Sequence, residues 1–337
     1  MQDVANHAGV SLGTVSNTIN SPDKVREKTR LRVQASIDAL GFVRNDAARS
    51  LAAGTSSTIG LIIVDMGNSF FVDIARGAEA AVRDRGMNLL IANSDIDLAK
   101  QMNYLDVFEQ ARVAGILLAP LDTPQAGSAR SKTVSRPMVL VNYASEDGSY
   151  SSVVVDEREG GYLAAKHLIG LGRRNLVFAG GPSLLKAVTE RWEGVCRAVD
   201  ESAGATLRRV ETTGLNIRHG RRAAEEILAL PGGRPNGIVA ASDLVAVGCI
   251  QVLEREEHLA VPEDIAIVGY DNNHFASESS TPVSTISQPG EEMGRAAAEI
   301  LLAEIETRGA AEKLALVLEP HLVARRSTLG ATWRSDL

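Results

Sequence analysis

Residues 3–20 read DVANHAGVSLGTVSNTIN, and this stretch decides the fold of the amino-terminal part. DVANHA (3–8) is a short helix whose Val4, Ala5 and Ala8 form one small apolar face. Gly9 breaks it, because glycine accepts the left-handed backbone of a tight interhelical turn. Val10 pins the turn to a core. Ser11 is a good N-cap for a second helix, LGTVSNTIN (12–20), whose Val15 and Ile19 share one face at helical spacing. Its other face carries Gly13, Ser16, Asn17 and Asn20, with Leu12 at the border. Such a polar, sterically light surface at a helix start suits entry into a DNA major groove, where asparagine can pair bidentately with adenine. Thr14 and Ser16 suit phosphate contacts, which position a protein without reading sequence. A third helix is predicted over EKTRLRVQASIDALG (27–41), with Val33, Ile37 and Leu40 as its apolar stripe.

Outward from this head the chain runs GFVRNDAARSLAAGTSSTIGLI (41–62). DAARSLAA is competent for about two helical turns, too few to be stable alone in water. A linker that becomes helical against DNA fits this composition. Leu51 is its apolar residue, either a wedge for the minor groove or a contact with the body or a partner. Residues 1–58 hold seven Lys and Arg against five Asp and Glu, a charge of +2. The whole chain is at −7, so the remainder carries −9. A weakly basic head therefore stands on an acidic body.

From residue 58 the pattern turns to alternating strands and helices. IGLIIVD (59–65), MNLLIAN (87–93), AGILLA (114–119) and PMVLVN (137–142) are strands, with helices over 70–86 and 98–112. A second lobe repeats this. Its strands are NLVFAGG (175–181), GIVAASD (237–243) and IAIVGYD (265–271), and its helices cover 161–172, 190–204, 218–230 and 244–257. VSTISQP (283–289), a helix over 291–307 and one strand-like segment, LALVLEPHLVARR (314–326), complete the chain. This predicts parallel α/β lobes. Ligands of open parallel sheets lie beyond the carboxyl ends of the strands. Those ends carry Asp65, Ser94, Asn142, Asp243 and Asp271. Asp243 is expected to cap the helix that follows it, and Asp271, before Asn272 and Asn273, to contact a ligand.

Hydrophobic residues make up 45% of the 337, which rules out wholesale disorder. No apolar run approaches 18 residues, and the start lacks a secretory apolar segment, so a cytoplasmic protein is expected. Cys196 and Cys249 lack metal-type spacing and read as reduced thiols. There is no nucleophile elbow, phosphate loop or dinucleotide turn, and the six histidines are scattered. Neither enzymatic activity nor a cofactor is expected.

DVANHAGVSLGTVSNTIN, TRLRVQASIDALGF and NDAARSLAAGTSSTIGLII together resemble the LacI (lac repressor-like) family. The similarity continues through VDMGNSFF, GGYLAAKHLIGLGRRNLVFAGGP, ASDLVAVGCIQVLE, VPEDIAIVGYDN and PHLVARRST, in order over nearly the whole chain. The resemblance implies a helix-turn-helix DNA-binding domain (1–44), a hinge helix and linker (45–57), and a two-lobed periplasmic-binding-protein-like body with parallel sheets (58–337). It implies base reading by Leu12, Gly13 and Asn17, and backbone contacts by Ser11, Thr14, Ser16, Asn20, Lys24 and Thr29. Asn45, Ala48 and Leu51 match the hinge helix, with Leu51 as the intercalating residue. Ser69, Phe70, Phe71, Asn142, Arg191, Leu215 and Asp271 match the effector cleft. The implied partners are double-stranded operator DNA with a pseudo-palindromic site, a second copy of the chain, and a small-molecule effector.

Several residues depart from the family pattern. Asn17 stands where many members carry arginine, Arg44 where proline is common, and Gly13 offers no side chain. The first helix starts close to residue 1, and TWRSDL (332–337) carries no leucine heptad, so no tetramer through such a tail is expected. Asn142 replaces a frequent aspartate and Leu215 a frequent aromatic. Leu185 and Ala187 stand where purine-binding members place arginine and threonine. Arg191 and Asp271 suit hydroxyl groups, so a sugar or sugar phosphate is the expected effector, acting by induction.

Overall fold

A computed structural model of the chain describes residues 1–42, 56–121, 136–255, 258–307 and 310–334. They fall into two compact units, Met1–Ser56 and Ser57–Leu337. The hinge residues Asn45, Ala48 and Leu51 lie outside the described residues.

In the first unit α1 (Gln2–Ala8), α2 (Leu12–Asn20) and α3 (Glu27–Ala39) surround a small core. Gly9 takes the left-handed conformation at φ 60°, and the Val10 N–H donates back to the Ala5 carbonyl at 3.0 Å. Ser11 caps α2 by accepting the Thr14 N–H at 3.2 Å. Val4, Ala5, Ala8, Val15 and Val33 are buried, with Val10, Ile19, Ile37 and Phe42 packed on them. Leu40 corrects the sequence reading. It is 44% exposed, because α3 ends at Ala39 and Gly41 (φ 55°) turns the chain back, so that Phe42 takes the place expected of Leu40. A single 3-10 turn, Pro22–Lys24, links α2 to α3.

The second unit contains two six-stranded sheets. In chain order its strands are β1 (Thr58–Ile63), β2 (Asn88–Asn93), β3 (Gly115–Leu118), β4 (Met138–Val141), β5 (Ser151–Val155), β6 (Asn175–Ala179), β7 (Thr206–Val210), β8 (Gly237–Ala240), β9 (Ala266–Asp271), β10 (Ser284–Ser287), β11 (Ala315–Leu318) and β12 (His321–Val323). Its helices are α4 (Ser69–Asp84), α5 (Leu98–Gln110), α6 (Glu157–Gly170), α7 (Lys186–Asp200), α8 (Ile217–Ala229), α9 (Asp243–Arg255), α10 (His274–Glu278), α11 (Gly290–Glu306) and α12 (Arg326–Leu329).

The first sheet, ordered β11-β5-β4-β3-β1-β2, is parallel throughout. The second, ordered β12-β10-β9-β8-β6-β7, is parallel except for the β10–β12 pair. Fully buried runs such as GILL, MVLV and GIVA are what parallel strands covered on both faces require. The chain crosses between lobes after β5, after β10 and after β11. The third crossing corrects the reading of 314–326 as one strand. Pro320 has no N–H for a ladder, and the segment divides into β11 in one sheet and β12 in the other. Helix α11 belongs to the first lobe, where Met293, Ala297 and Leu301 join the core of β1 and α4. Gly77 and Gly294 allow this approach. A Cβ on either would lie 1.9 Å from the partner helix's backbone oxygen, of Glu291 or Ile74.

Candidate functional site

On the head, the expected DNA face is a real surface. Ser11, Leu12, Gly13, Asn17, Asn20 and Lys24 are exposed, and Thr14, Ser16 and Thr29 half-buried. Short bonds organise it. The Ser11 and Thr14 hydroxyls lie 2.9 Å apart, and the Asn20 amide donates to the Ser16 hydroxyl at 3.2 Å. Thr18, on the inner side, is buried and donates back to the Thr14 carbonyl. The Asn17 carboxamide makes no hydrogen bond among the described residues, which leaves both its polar groups to solvent. At Gly13 an added Cβ would meet nothing nearer than the Ser11 hydroxyl at 3.8 Å. The fold therefore does not require a glycine there, and its smallness matters only to something approaching from outside.

In the body, one cavity brings together Phe70, Phe71, Asn142, Arg191, Leu215 and Asp271 from both lobes. Asp65 also lines it, whereas Ser94 and Asp243 from the same set of strand ends do not. Ser69 differs from expectation. It is the first residue of α4, and the lining position falls one residue earlier, on the N-cap Asn68. Asn68 Oδ1 accepts the Phe70 N–H at 3.1 Å, and the Asn68 side-chain amide Nδ2 donates across the lobes to Asp271 Oδ2 at 2.7 Å. The Phe70 and Phe71 rings are tilted by 59° with centroids 5.3 Å apart.

Arg191 is 4% exposed and its guanidinium is committed on several sides. It binds Glu157 through two bonds of 2.8 and 2.9 Å and the Ala241 carbonyl at 2.6 Å, and lies 3.6 Å from Asp271 Oδ1. The Tyr270 ring lies 3.7 Å from it. Burial acts to lower the Arg191 pKa, but Glu157 and then Asp271 outweigh it and hold the group charged. Asp271 Oδ1 also accepts the Gln288 amide at 2.7 Å. Its pKa is pushed up to about 6, since burial outweighs Arg191, Asn68 and Gln288.

Asp243 is a second correction. The helix α9 is capped by Ser242, whose hydroxyl accepts the Val245 N–H at 3.3 Å. Asp243 is the first residue inside the helix, so its carboxylate turns away and accepts the Asn273 N–H at 2.8 Å. Burial, followed by the charge of Asp271, raises its pKa well above the usual range.

The backbone at the cleft is unusual. Asn142 (φ 57°), Asp271 (φ 103°), Asn272 (φ 58°) and the β-branched Ile96 (φ 55°) all lie at positive φ. Such conformations persist where surrounding structure over-determines them, and they concentrate at functional sites. Sequence reasoning missed Asn68, Gln288 and Glu157. The Asn of NSFF, placed before a helix, carried a signal as an N-cap. Gln288 and Glu157 carried none, because their partners are distant in sequence. Among the described residues no group of His, Cys, Asp and Glu could hold a metal ion, and no helix is long and apolar enough to cross a membrane.

Residues 1–45 match the model of bacterial regulatory proteins of the lacI family, and residues 165–328 that of a periplasmic binding protein-like domain. The chain is 32% identical over 330 residues to the HTH-type transcriptional repressor PurR of Aliivibrio fischeri, covering 97% of each. It is 34% identical over 332 residues to the ribose operon repressor of Escherichia coli, covering 97% of this chain and 99% of that one. Among solved structures, a transcriptional regulator CelR–cellobiose complex superposes with a TM-score of 0.70 at 29% identity, over 97% and 98% of the two chains. The lac repressor dimer bound to operator and the anti-inducer ONPF shares the fold, with a TM-score of 0.81 at 24% identity over 97% and 98%. The chain thus belongs to the LacI family: it is a DNA-binding transcriptional repressor whose helix-turn-helix head is joined to a two-lobed effector-binding body.

Proposed function

We propose that this repressor binds a pseudo-palindromic operator as a homodimer and responds to a sugar held between the lobes. Leu12, Gly13 and Asn17 read base edges, while Ser11, Thr14, Ser16, Asn20, Lys24 and Thr29 contact the backbone. Asn45, Ala48 and Leu51 act at the minor groove. The observation that carries the sugar reading is the cavity itself. Two aromatic rings face a buried Arg191–Asp271 pair, with the amides of Asn68 and Gln288 on the same carboxylate. Apolar ring faces with convergent, pre-oriented donors and acceptors suit a hydroxyl-bearing ring. Dimerisation is supported by the edge strand β2, which exposes Leu90 and Ile91 at 47% and 45%, and by a groove on α9 and α10 that includes Ile250 and the exposed Phe275.

A purine is the second reading, and repressors named PurR match this chain about as well as the ribose operon repressor does, at 32% and 34% identity. Against it, Leu185 and Ala187 line the cavity with aliphatic side chains that cannot hydrogen-bond a base edge. Sugar binding shifts DNA affinity only by its differential affinity for two conformations, and release on binding is the sign expected here. The test is calorimetric titration of the full chain with sugars, hypoxanthine and guanine, together with selection of bound DNA with and without the sugar that binds. Purine binding without sugar binding overturns the reading, and so does a selected site without inverted halves.

A further inference from the structure

Next to the cleft cavity lies a second one. The two share Asn142 and Ala187 as walls. The second is lined by Tyr143, Asp156, Glu157, Arg158, Lys186 and Glu190, beside the first and third chain crossings. Glu157 belongs to both in effect, because it lines the second cavity while chelating Arg191 in the first. The first cavity measures about 60 Å³ and the second about 220 Å³. Small-molecule sites begin at roughly 300 Å³, so the first falls far short alone and the two together approach that size.

The charges decide what the joint cleft can hold. Asp65, Asp156, Glu157, Glu190 and Asp271 face Arg158, Lys186 and Arg191. Each cation already has a carboxylate: Glu157 on Arg191 at 2.8 Å, Glu146 on Lys186 at 2.5 Å, and Glu190 and Glu193 on Arg158 at 3.0 and 2.7 Å. A phosphate would have to displace one of these in a cleft where anions outnumber cations, so repulsion excludes it. Hydroxyl groups face no such barrier, since they donate to carboxylates. Tyr143 lines the second cavity together with Lys186, whose ammonium lies over the tyrosine ring 5.1 Å from its centroid.

We infer that the two cavities are subsites of one cleft that takes an uncharged two-ring sugar. One ring sits against Phe70, Phe71 and Asp271, and the other against Tyr143 and Lys186. This rests on the sugar reading proposed above and narrows it by excluding sugar phosphates.

The experiment is calorimetry on the full chain with glucose, ribose, cellobiose, maltose, lactose, sucrose, trehalose and glucose 6-phosphate. At least one disaccharide should bind tenfold or more tightly than either monosaccharide, and glucose 6-phosphate should bind more weakly than glucose. Ala187→Trp, which fills the passage, should erase the preference for the disaccharide. Lys186→Ala, at a half-exposed side chain, should reduce it several-fold and serves if the tryptophan variant does not fold. Monosaccharides binding as well as every disaccharide would overturn the two-ring inference alone. Tighter binding of the phosphate would overturn the charge argument. If no sugar of any size binds, the sugar reading itself falls, and this inference with it.

Discussion

On the outer face of α2 the Asn17 carboxamide stands in solvent, with no hydrogen-bond partner among the described residues. In the cleft of the body the polar groups are buried, and Arg191, Asp271, Asn68 and Gln288 already bond one another. The contrast follows from what each region meets. DNA approaches a convex helix whose polar groups water has kept solvated, so leaving them unpaired is cheap. A small ligand enters a space from which water is largely excluded, where an unpaired polar group costs about 1–3 kcal/mol and an unpaired charge more. The cleft therefore pairs its charged groups internally, leaving only neutral atoms such as Gln288 Oε1 without a partner among the described residues, and a ligand binds by exchanging partners. Substitutions at the exposed positions of α2 should alter binding with little effect on stability, whereas substitutions in the cleft should alter both.

The largest effect is expected at Arg191. Arg191→Met would leave Glu157 buried at 4% exposure without its two guanidinium bonds, and Asp271 without its nearest cation. Removing one partner of such a pair destabilises by about 3–5 kcal/mol. Urea unfolding of the body should show that loss, and Glu157→Gln combined with Arg191→Met should recover part of it. A loss below about 1 kcal/mol would break the contrast, because the buried charge would then have found water.

Asp271 should make the body's stability depend on pH. Its folded pKa, about 6, lies above its ordinary value of 3.8. The folded state then binds the proton more tightly than the unfolded state does. The stabilising contribution is complete below about pH 4 and is lost as pH rises through 6, a change of about 3 kcal/mol. Arg191, Asn68, Glu157, Gln288 and Asp243 all face this carboxyl or act on it. Asp243, with its own raised pKa, adds a slope of the same sign. The informative quantity is therefore the difference between the parent and Asp271→Asn in urea midpoints from pH 4 to 7. That difference should grow by about 3 kcal/mol in favour of the variant as pH rises, and a flat difference would show that Asp271 keeps its ordinary pKa.

The two regions were not equally legible in the sequence. In the head the determinants are local. Gly9, Ser11 and the Val15–Ile19 spacing act within one or two turns, and α2 was bounded correctly at Leu12–Asn20. Only Leu40 failed, because Gly41 redirects the chain just beyond the periodic run. In the body, most strands and helices followed from hydrophobic runs, but β5, the arginine-bearing β7 and the short α10 did not, and neither did lobe membership. Nothing local to LALVLEPHLVARR says that β11 and β12 join different sheets. The cleft shows the same limit. Asn142 and Asp271 follow from the carboxyl ends of the strands and Phe70, Phe71, Arg191 and Leu215 from family resemblance, whereas Glu157 and Gln288 reveal themselves only through contacts 34 and 17 residues away in sequence. Asp243 was misread because Ser242, one residue earlier, was the better cap.

A smaller effect, on binding alone, is expected at Asn17. Asn17→Ala removes a side chain with no hydrogen bond among the described residues, so unfolding of the head should be unchanged. Operator affinity should fall by about 1–3 kcal/mol, with specificity relaxed at one base pair. Lys24→Ala should weaken binding evenly across sequences and reduce the salt dependence of log K by about 0.9. Fluorescence anisotropy at several salt concentrations separates the two. An Asn17→Ala effect identical on operator and random DNA would remove Asn17 from base reading.

At Ser11 a modest effect on stability and an effect on binding are expected together, and the contrast can be sharpened within one residue. Its hydroxyl accepts the Thr14 N–H at 3.2 Å and so caps α2, yet the residue is exposed on the proposed DNA face. Ser11→Ala should destabilise the head by about 1 kcal/mol. It should also weaken DNA binding, through the lost hydroxyl and through fraying of the α2 start. Ser11→Asp separates these roles. Aspartate caps as well as serine, and its charge favours a helix N-terminus, so stability should hold. The same charge opposes the DNA phosphates, so affinity should fall below that of Ser11→Ala. If Ser11→Asp instead binds the operator as tightly as the parent, Ser11 stands away from the backbone and its hydroxyl serves the helix alone.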